Sequence, residues 1–424
     1  MNFLLNKMTY AAEEVAKSGA GMLKDVFQES SNFREQMESD NRIHPVKPLS
    51  ETCVRSTSLC AVDGASASKQ MQSADLVAVG AVLANGGKSQ PAPVEGAFGY
   101  MDVLLHSGDV ASIVSAMRAM TEIAVLGTSD HDIVVIDGAM LNNYLSVILT
   151  ARGSRNAAQP ILDFLADQEQ ADAFYKGVRR IFSAKDGQSG KYHAPDGTEE
   201  KMPRIIALAK SDTSSTMVRT YLGRERAAKL KDKLVASTVL KPGEMLTPVK
   251  LRNSALTPDL LESNGATTLE DWDIPGFTNW PLTSLELDEK DRIFRMLNRG
   301  YSFDQVQAEP DRSVFNQYTY LVKEGHLFFT YYKPSLFTMG EQALRLEFSL
   351  PWDEDNEMEV CQEIITHLEA DIVPGTKEPF CQFMVDRYAK EAISSMMIEL
   401  EIRIGSQLAM AGVDASSALG SYRT

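Results

Sequence analysis

The sequence predicts a mixed α/β protein built on an interrupted central sheet flanked by helices. Three observations carry that prediction. Ser58-Leu-Cys-Ala-Val-Asp63 and Asp132-Ile-Val-Val-Ile-Asp137 are short apolar runs, each closed by Asp-Gly, the pattern of buried strands that meet a turn. Between them, Val110, Ile113, Val114, Met117, Ala124 and Val125 recur at helical spacing. Farther on, Leu327 to Tyr332 and Leu344 to Leu350 are aromatic-rich and alternating, as antiparallel strands require.

Taken in order, residues 1–50 read as an amphipathic helical arm (Phe3, Leu4, Met8, Ala11, Val15, Met22, Val26) ending in a proline-containing connection. After the first strand, Leu76 to Ala84 is apolar and β-branched enough to be its neighbour in the sheet. Asp109 is placed to cap the following helix. A helix follows Asp137-Gly138, and further helical stretches run from about 158 to 183. Residues 184–203 are polar and glycine-bearing and read as a loop or loose hairpin. Arg204-Ile-Ile-Ala-Leu-Ala-Lys210 is a third buried strand leading into a helix. Proline, acids and weak periodicity between about 241 and 310 predict an insertion with little sheet. Tyr318 to Val322 opens the late meander, and helices near 356–370 and 379–410 close the chain before a tail at 411–424.

Composition bounds the function. The chain has 424 residues, 44% hydrophobic and 24% charged, with a formal net charge of −16. That is enough chain for a large core, and the charge opposes nucleic acid and anionic membrane unless cations are gathered locally. Four cysteines without zinc-ligand spacing point to a reducing compartment, with Cys60 and Cys361 in the core. The N-terminus lacks the apolar run of a signal peptide, and no apolar stretch reads as membrane-spanning, so a cytoplasmic protein is expected. Phosphate-loop chemistry is excluded because Val82 stands where the glycine before Gly87-Lys88-Ser89 should be.

Carboxylates at strand ends are rigidly placed, and a following glycine leaves them approachable. Asp63 and Asp137 on neighbouring strands can therefore hold a hard cation; the alternative is that each Asp-Gly merely makes a turn. Glu122 lies at the edge of the apolar helix face and can reach the same ion, or pair with Arg118 one turn back. Lys210 can steady a phosphate, or simply emerge into solvent. Asp386 has Lys390 one turn on. From Lys210 to Arg252 there are ten basic residues against four acidic ones, and Arg219, Arg226, Lys229 and Lys233 fall near one helical face suited to phosphate contacts or to solvent.

This order of features resembles the NurA family of nucleases: Ala61-Val-Asp63-Gly-Ala-Ser66, Glu122 on its helix, Val134-Val-Ile-Asp137-Gly-Ala-Met-Leu141, the strand ending in Lys210, Arg345-Leu-Glu347 in a late strand, and a terminal helix. The resemblance spans about residues 58–410. It implies an RNase H-like nuclease domain over 51–410, a homodimer enclosing a DNA channel, Mn²⁺- or Mg²⁺-dependent DNA cleavage, and partnership with a HerA-type hexameric ATPase in repair or anti-phage defence. By position it makes Asp63, Glu122 and Asp137 metal ligands with Lys210 assisting. It places Asp386, in Val385-Asp386-Arg-Tyr-Ala389, where the family carries a histidine ligand.

Overall fold

A computed structural model describes residues 32–47, 57–71, 74–86, 94–140, 142–151, 153–181, 191–193, 199–209, 214–227, 230–251, 286–308, 327–350, 356–376 and 378–413. A mixed ten-stranded sheet runs through its middle, with helices on both faces. Of the N-terminal arm, 32–39 forms α1, whose Phe33 and Met37 enter the core.

The strands are β1 (Ile43–Pro45), β2 (Leu59–Gln70), β3 (Ala74–Asn85), β4 (Val94–Leu105), β5 (Ile133–Asp137), β8 (Arg204–Ala209), β9 (Glu244–Leu246), β10 (Val249–Lys250), β11 (Leu327–Lys333) and β12 (Leu344–Ser349), in spatial order β1-β9-β11-β12-β8-β5-β2-β3-β4, with β10 on β11. A separate hairpin joins β6 (Lys191–His193) to β7 (Glu199–Lys201), as the polar stretch suggested. At the centre β2, β5 and β8 are parallel, whereas β3 and β12 join antiparallel. β3 reads as a continuous apolar run because both its faces are covered: Val77, Val79 and Leu83 face one core, and Leu76, Ala78 and Val82 face the other side.

On the first face lie α2 (Val110–Thr128), α3 (Asn142–Ala151), α4 (Arg155–Ala166) and α5 (Gln168–Ile181). On the opposite face, α11 (Glu357–Asp371) and the 31-residue α12 (Phe380–Met410) cover β2, β3, β5, β8 and β12. Both terminal helices fall within a residue or two of their expected limits. Shorter helices α6 (Thr216–Leu222), α7 (Arg224–Ala227), α8 (Asp232–Val239), α9 (Leu287–Leu297) and α10 (Phe303–Ala308) fill the connections.

The structure corrects several sequence expectations. β4 was not anticipated. Its Gly96 and Gly99 weaken the strand signal, yet a Cβ at Gly99 would lie 2.9 Å from the Met396 methyl of α12, so the glycine serves close packing. The 241–310 stretch supplies β9 and β10 to the main sheet; strands of three and two residues are too short to show periodicity. Asp109 does precede α2 but makes no side-chain cap bond, because its carboxylate accepts from Ser154 Oγ at 2.8 Å. The 19-residue α2 is long and apolar enough to cross a bilayer, but it is apolar because it is buried between sheet and helices. The expected strand at 318–322 lies outside the described residues. Cys60, Cys361 and Cys381 are buried, and none is in a disulfide among the described residues.

α2 and α5 touch backbone to backbone. A Cβ on Gly127 would fall inside the Ala173 carbonyl, and one on Gly177 inside that of Ile123. Buried Arg180 completes the contact by donating to the Leu126 carbonyl at 2.6 Å. Gly177→Ala should therefore destabilise the protein by about 3 kcal/mol, although alanine alone favours a helix by about 1 kcal/mol. Urea unfolding measures the sign, and a stabilised variant would contradict this packing.

Candidate active site

Asp63 and Asp137 are set side by side by strand register. Val62 pairs Ile136 in the parallel β2–β5 ladder, so the next residues, Asp63 and Asp137, stand level on strands about 4.8 Å apart. Both share the face of Ala61, Val135 and Leu208, under α11 and α12.

The two Asp-Gly pairs have different physical origins. At Asp137-Gly138 β5 does end, and Gly138 takes φ +90°, which a side-chain-bearing residue rarely adopts. At Asp63-Gly64 the expected strand end is absent, for β2 continues to Gln70. Gly64 is there because a Cβ would lie 2.6 Å from Glu122 Oε1 and 2.9 Å from Arg118 Cγ. Glycine opens the strand so that the α2 carboxylate can reach it. The Gly64 N–H donates to Asp63 Oδ1 at 2.8 Å.

Glu122 is 7% exposed. Arg118 Nε lies 3.4 Å from its Oε1, and Asn143 Nδ2 donates to Oε2, so the expected helical pair with Arg118 and the approach to the aspartates coexist. Burial, reinforced by the charges of Asp63 and Asp137, pushes the Glu122 carboxyl up to about 8. Arg118 opposes this, but its side chain is 45% exposed and screened by water, so burial prevails.

The other sequence candidates are placed differently. Asp386 on α12 accepts from Lys390 Nζ at 2.7 Å, the ordinary one-turn pair. Gln382 of α12 does touch an acidic candidate: its Nε2 donates to Asp137 Oδ1 at 3.0 Å. Nothing in the sequence marked Gln382, since one glutamine in a long helix makes no pattern. Lys210 and Lys229 lie outside the described residues. The basic residues do not share one helical face: Gly223, at φ +92°, ends α6, so Arg219 is exposed on α6, Arg226 belongs to α7 and Lys233 is half-buried on α8. Asp232 ties α6 to α8 by accepting from the Met217 and Val218 N–H groups at 3.0 and 2.8 Å.

Among the described residues no group of three or more Asp, Glu, His or Cys side chains is close enough together to hold a metal ion. The donor chemistry of Asp63, Glu122 and Asp137 nevertheless fits a hard divalent cation: all donors are oxygens, and a cation would offset the burial and the aspartate charges that raise Glu122.

No family model and no curated protein matches the sequence. Among solved structures, the chain is similar to the NurA nuclease from Sulfolobus solfataricus, with a TM-score of 0.52 and 14% identity over 96% of this chain and 98% of that one. The chain has a NurA-like fold. A crystal structure of NurA with manganese is also matched, at TM-score 0.41 and 10% identity over 84% of this chain and 90% of that one. The NurA-like frame places Asp63 and Asp137 mid-sheet, with α12 on their side and α2 on the other.

Glu122 makes metal-free stability depend on pH. The folded chain keeps its proton up to about pH 8, whereas the unfolded chain loses it near 4.5, so this residue's contribution falls as pH rises between those values. Relative to wild type in EDTA, Glu122→Gln should gain about 2–4 kcal/mol between about pH 5 and pH 9. Chemical denaturation at several pH values checks this, and a pH-independent difference between the two proteins contradicts it.

Proposed function

We propose that this protein is a metal-dependent deoxyribonuclease that hydrolyses phosphodiester bonds. The observation that carries this reading is the pair Asp63 and Asp137, level on adjacent strands, with the buried Glu122 carboxylate against Gly64 and near enough for the charges of both aspartates to raise it. The NurA-like fold supports it.

In this reading Asp63, Asp137 and Glu122 hold Mn²⁺ or Mg²⁺. When bound, the ion supplies Lewis-acid chemistry, lowering the pKa of water and neutralising charge on phosphate oxygens. The chain's own groups orient and balance charge. Asn143 and Arg118 fix the Glu122 carboxylate, and the exposed part of Arg118 offers a positive charge to a nearby phosphate. Lys210, which follows β8 directly in sequence, adds a second. Arg219, Arg226, Lys229 and Lys233 contribute phosphate contacts. The motif order underlying the family resemblance extends the reading to a cytoplasmic homodimer that processes DNA ends with a HerA-type hexameric translocase, in repair or anti-phage defence. A second reading, a NurA-like subunit that clamps DNA or regulates the ATPase without cutting, is favoured by Asp386, which is engaged by Lys390.

Purified protein incubated with linear, circular and single-stranded DNA in Mn²⁺, Mg²⁺ or EDTA tests the proposal. Metal-dependent degradation is expected, and Asp63→Asn or Asp137→Asn should lower it at least about 100-fold with an unchanged circular dichroism spectrum. Full activity in either variant overturns the nuclease site; DNA binding without cleavage in the wild type favours the second reading.

A further inference from the structure

Gln382 is fully buried in the first turn of α12. That turn is fixed on both sides of it. The Cys381 N–H donates to Asp371 Oδ2 at 2.8 Å, and Cys381, Val385 and Ala389 pack into the core beneath the sheet. Backbone and neighbours leave the side chain little freedom.

The amide nitrogen donates to Asp137 Oδ1 at 3.0 Å and approaches the Leu208 carbonyl at 3.4 Å. Both partners are acceptors, so the nitrogen must face them. The same orientation leaves Gln382 Oε1 buried without a hydrogen-bond partner among the described residues. Burying an amide with one end unsatisfied costs free energy that an apolar side chain of similar volume would not. Cys381 and Val385 on the same helix lie in an apolar cluster, and Met has a similar volume to glutamine. Among the described residues, the side-chain hydrogen bonds of this glutamine go to Asp137 and to the strand next to it.

We propose that Gln382, and not Asp386, is the α12 residue that serves the carboxylate site, as a positioning residue that holds Asp137 in the orientation needed to bind a divalent ion. This rests on the nuclease reading above. A ligating carboxylate needs a fixed rotamer as much as a charge. Register fixes the Asp137 backbone through β2 and β8, and Gln382 fixes the side chain. Asp386 sits one turn farther along α12 and is held by Lys390.

The test compares wild type, Gln382→Met and Gln382→Asn as full-length proteins. Met keeps the volume and removes the donor; Asn keeps the amide but is too short to reach. Isothermal titration calorimetry with Mn²⁺ alone gives the affinity, and DNA cleavage over a Mn²⁺ series gives the concentration for half-maximal rate. Both variants are expected to bind Mn²⁺ about 10–100-fold more weakly, with the half-maximal concentration raised by the same factor. Should Gln382→Met fail to fold, Gln382→Asn carries the test. Mn²⁺ affinity within about twofold of wild type in a folded variant overturns the proposal, as does a loss confined to the saturated rate. Wild-type protein that binds no Mn²⁺ overturns the metal-site reading itself, an outcome distinct from a wild type that binds and variants that bind equally well.

Discussion

Glu122 reaches the central sheet through a gap that only glycine leaves. Its carboxylate occupies the space a Cβ on Gly64 would take, which fixes how close α2 lies to β2 and where along its length the two elements meet. A helix this close must be small-faced and apolar where it touches the sheet, and Ala116, Ala119, Ile123 and Ala124 are all buried. The same closeness strips water from the carboxylate, so burial dominates its protonation. One steric vacancy thus sets helix position, core composition and the charge state of the site.

The layers outside α2 depend on that approach as well. α5 presses onto α2 through Gly127 and Gly177, and Arg180 satisfies a carbonyl near the α2 C-terminus. On the other face α12 is anchored by Asp371 and by its own apolar stripe. The two faces bring different chemistry to the same pair of strands. A buried carboxyl comes from α2 and a neutral amide from α12, with the aspartates pointing toward α12. Elsewhere the polar interior is balanced by pairing: Arg345 and Glu347 lie 2.7 Å apart, both buried, and Glu347 also accepts from the Met140 N–H just beyond Asp137.

The net charge of −16 takes on a different meaning once the acids are located. Asp63, Glu122 and Asp137 are gathered at one place and largely withdrawn from the surface, so they add little to any repulsion of a distant polyanion. Arg219, Arg226 and Lys233 lie on three short helices, the first ended by Gly223. They therefore do not form the single stripe that a continuous helix would make.

Much of this was legible in the sequence. The apolar runs ending at Asp63 and Asp137, the helix between them with Glu122 at the margin of its apolar face, and the limits of the last two helices all follow from local periodicity, which the chain expresses wherever one face must be buried. What periodicity cannot carry is the partner of each face. β4 was hidden because its glycines answer to Met396 on α12 and Thr128 on α2, residues remote in sequence. Gly64 looked like a turn residue because the approach of Glu122 is visible only once α2 is docked. Gln382 gave no signal, since its role exists only when α12 lies across the end of β5. The sequence by itself determined which segments become strands and helices and which carboxylates are available. Tertiary structure decided which of them meet, because strand register and helix docking join residues far apart along the chain through contacts that no local pattern encodes.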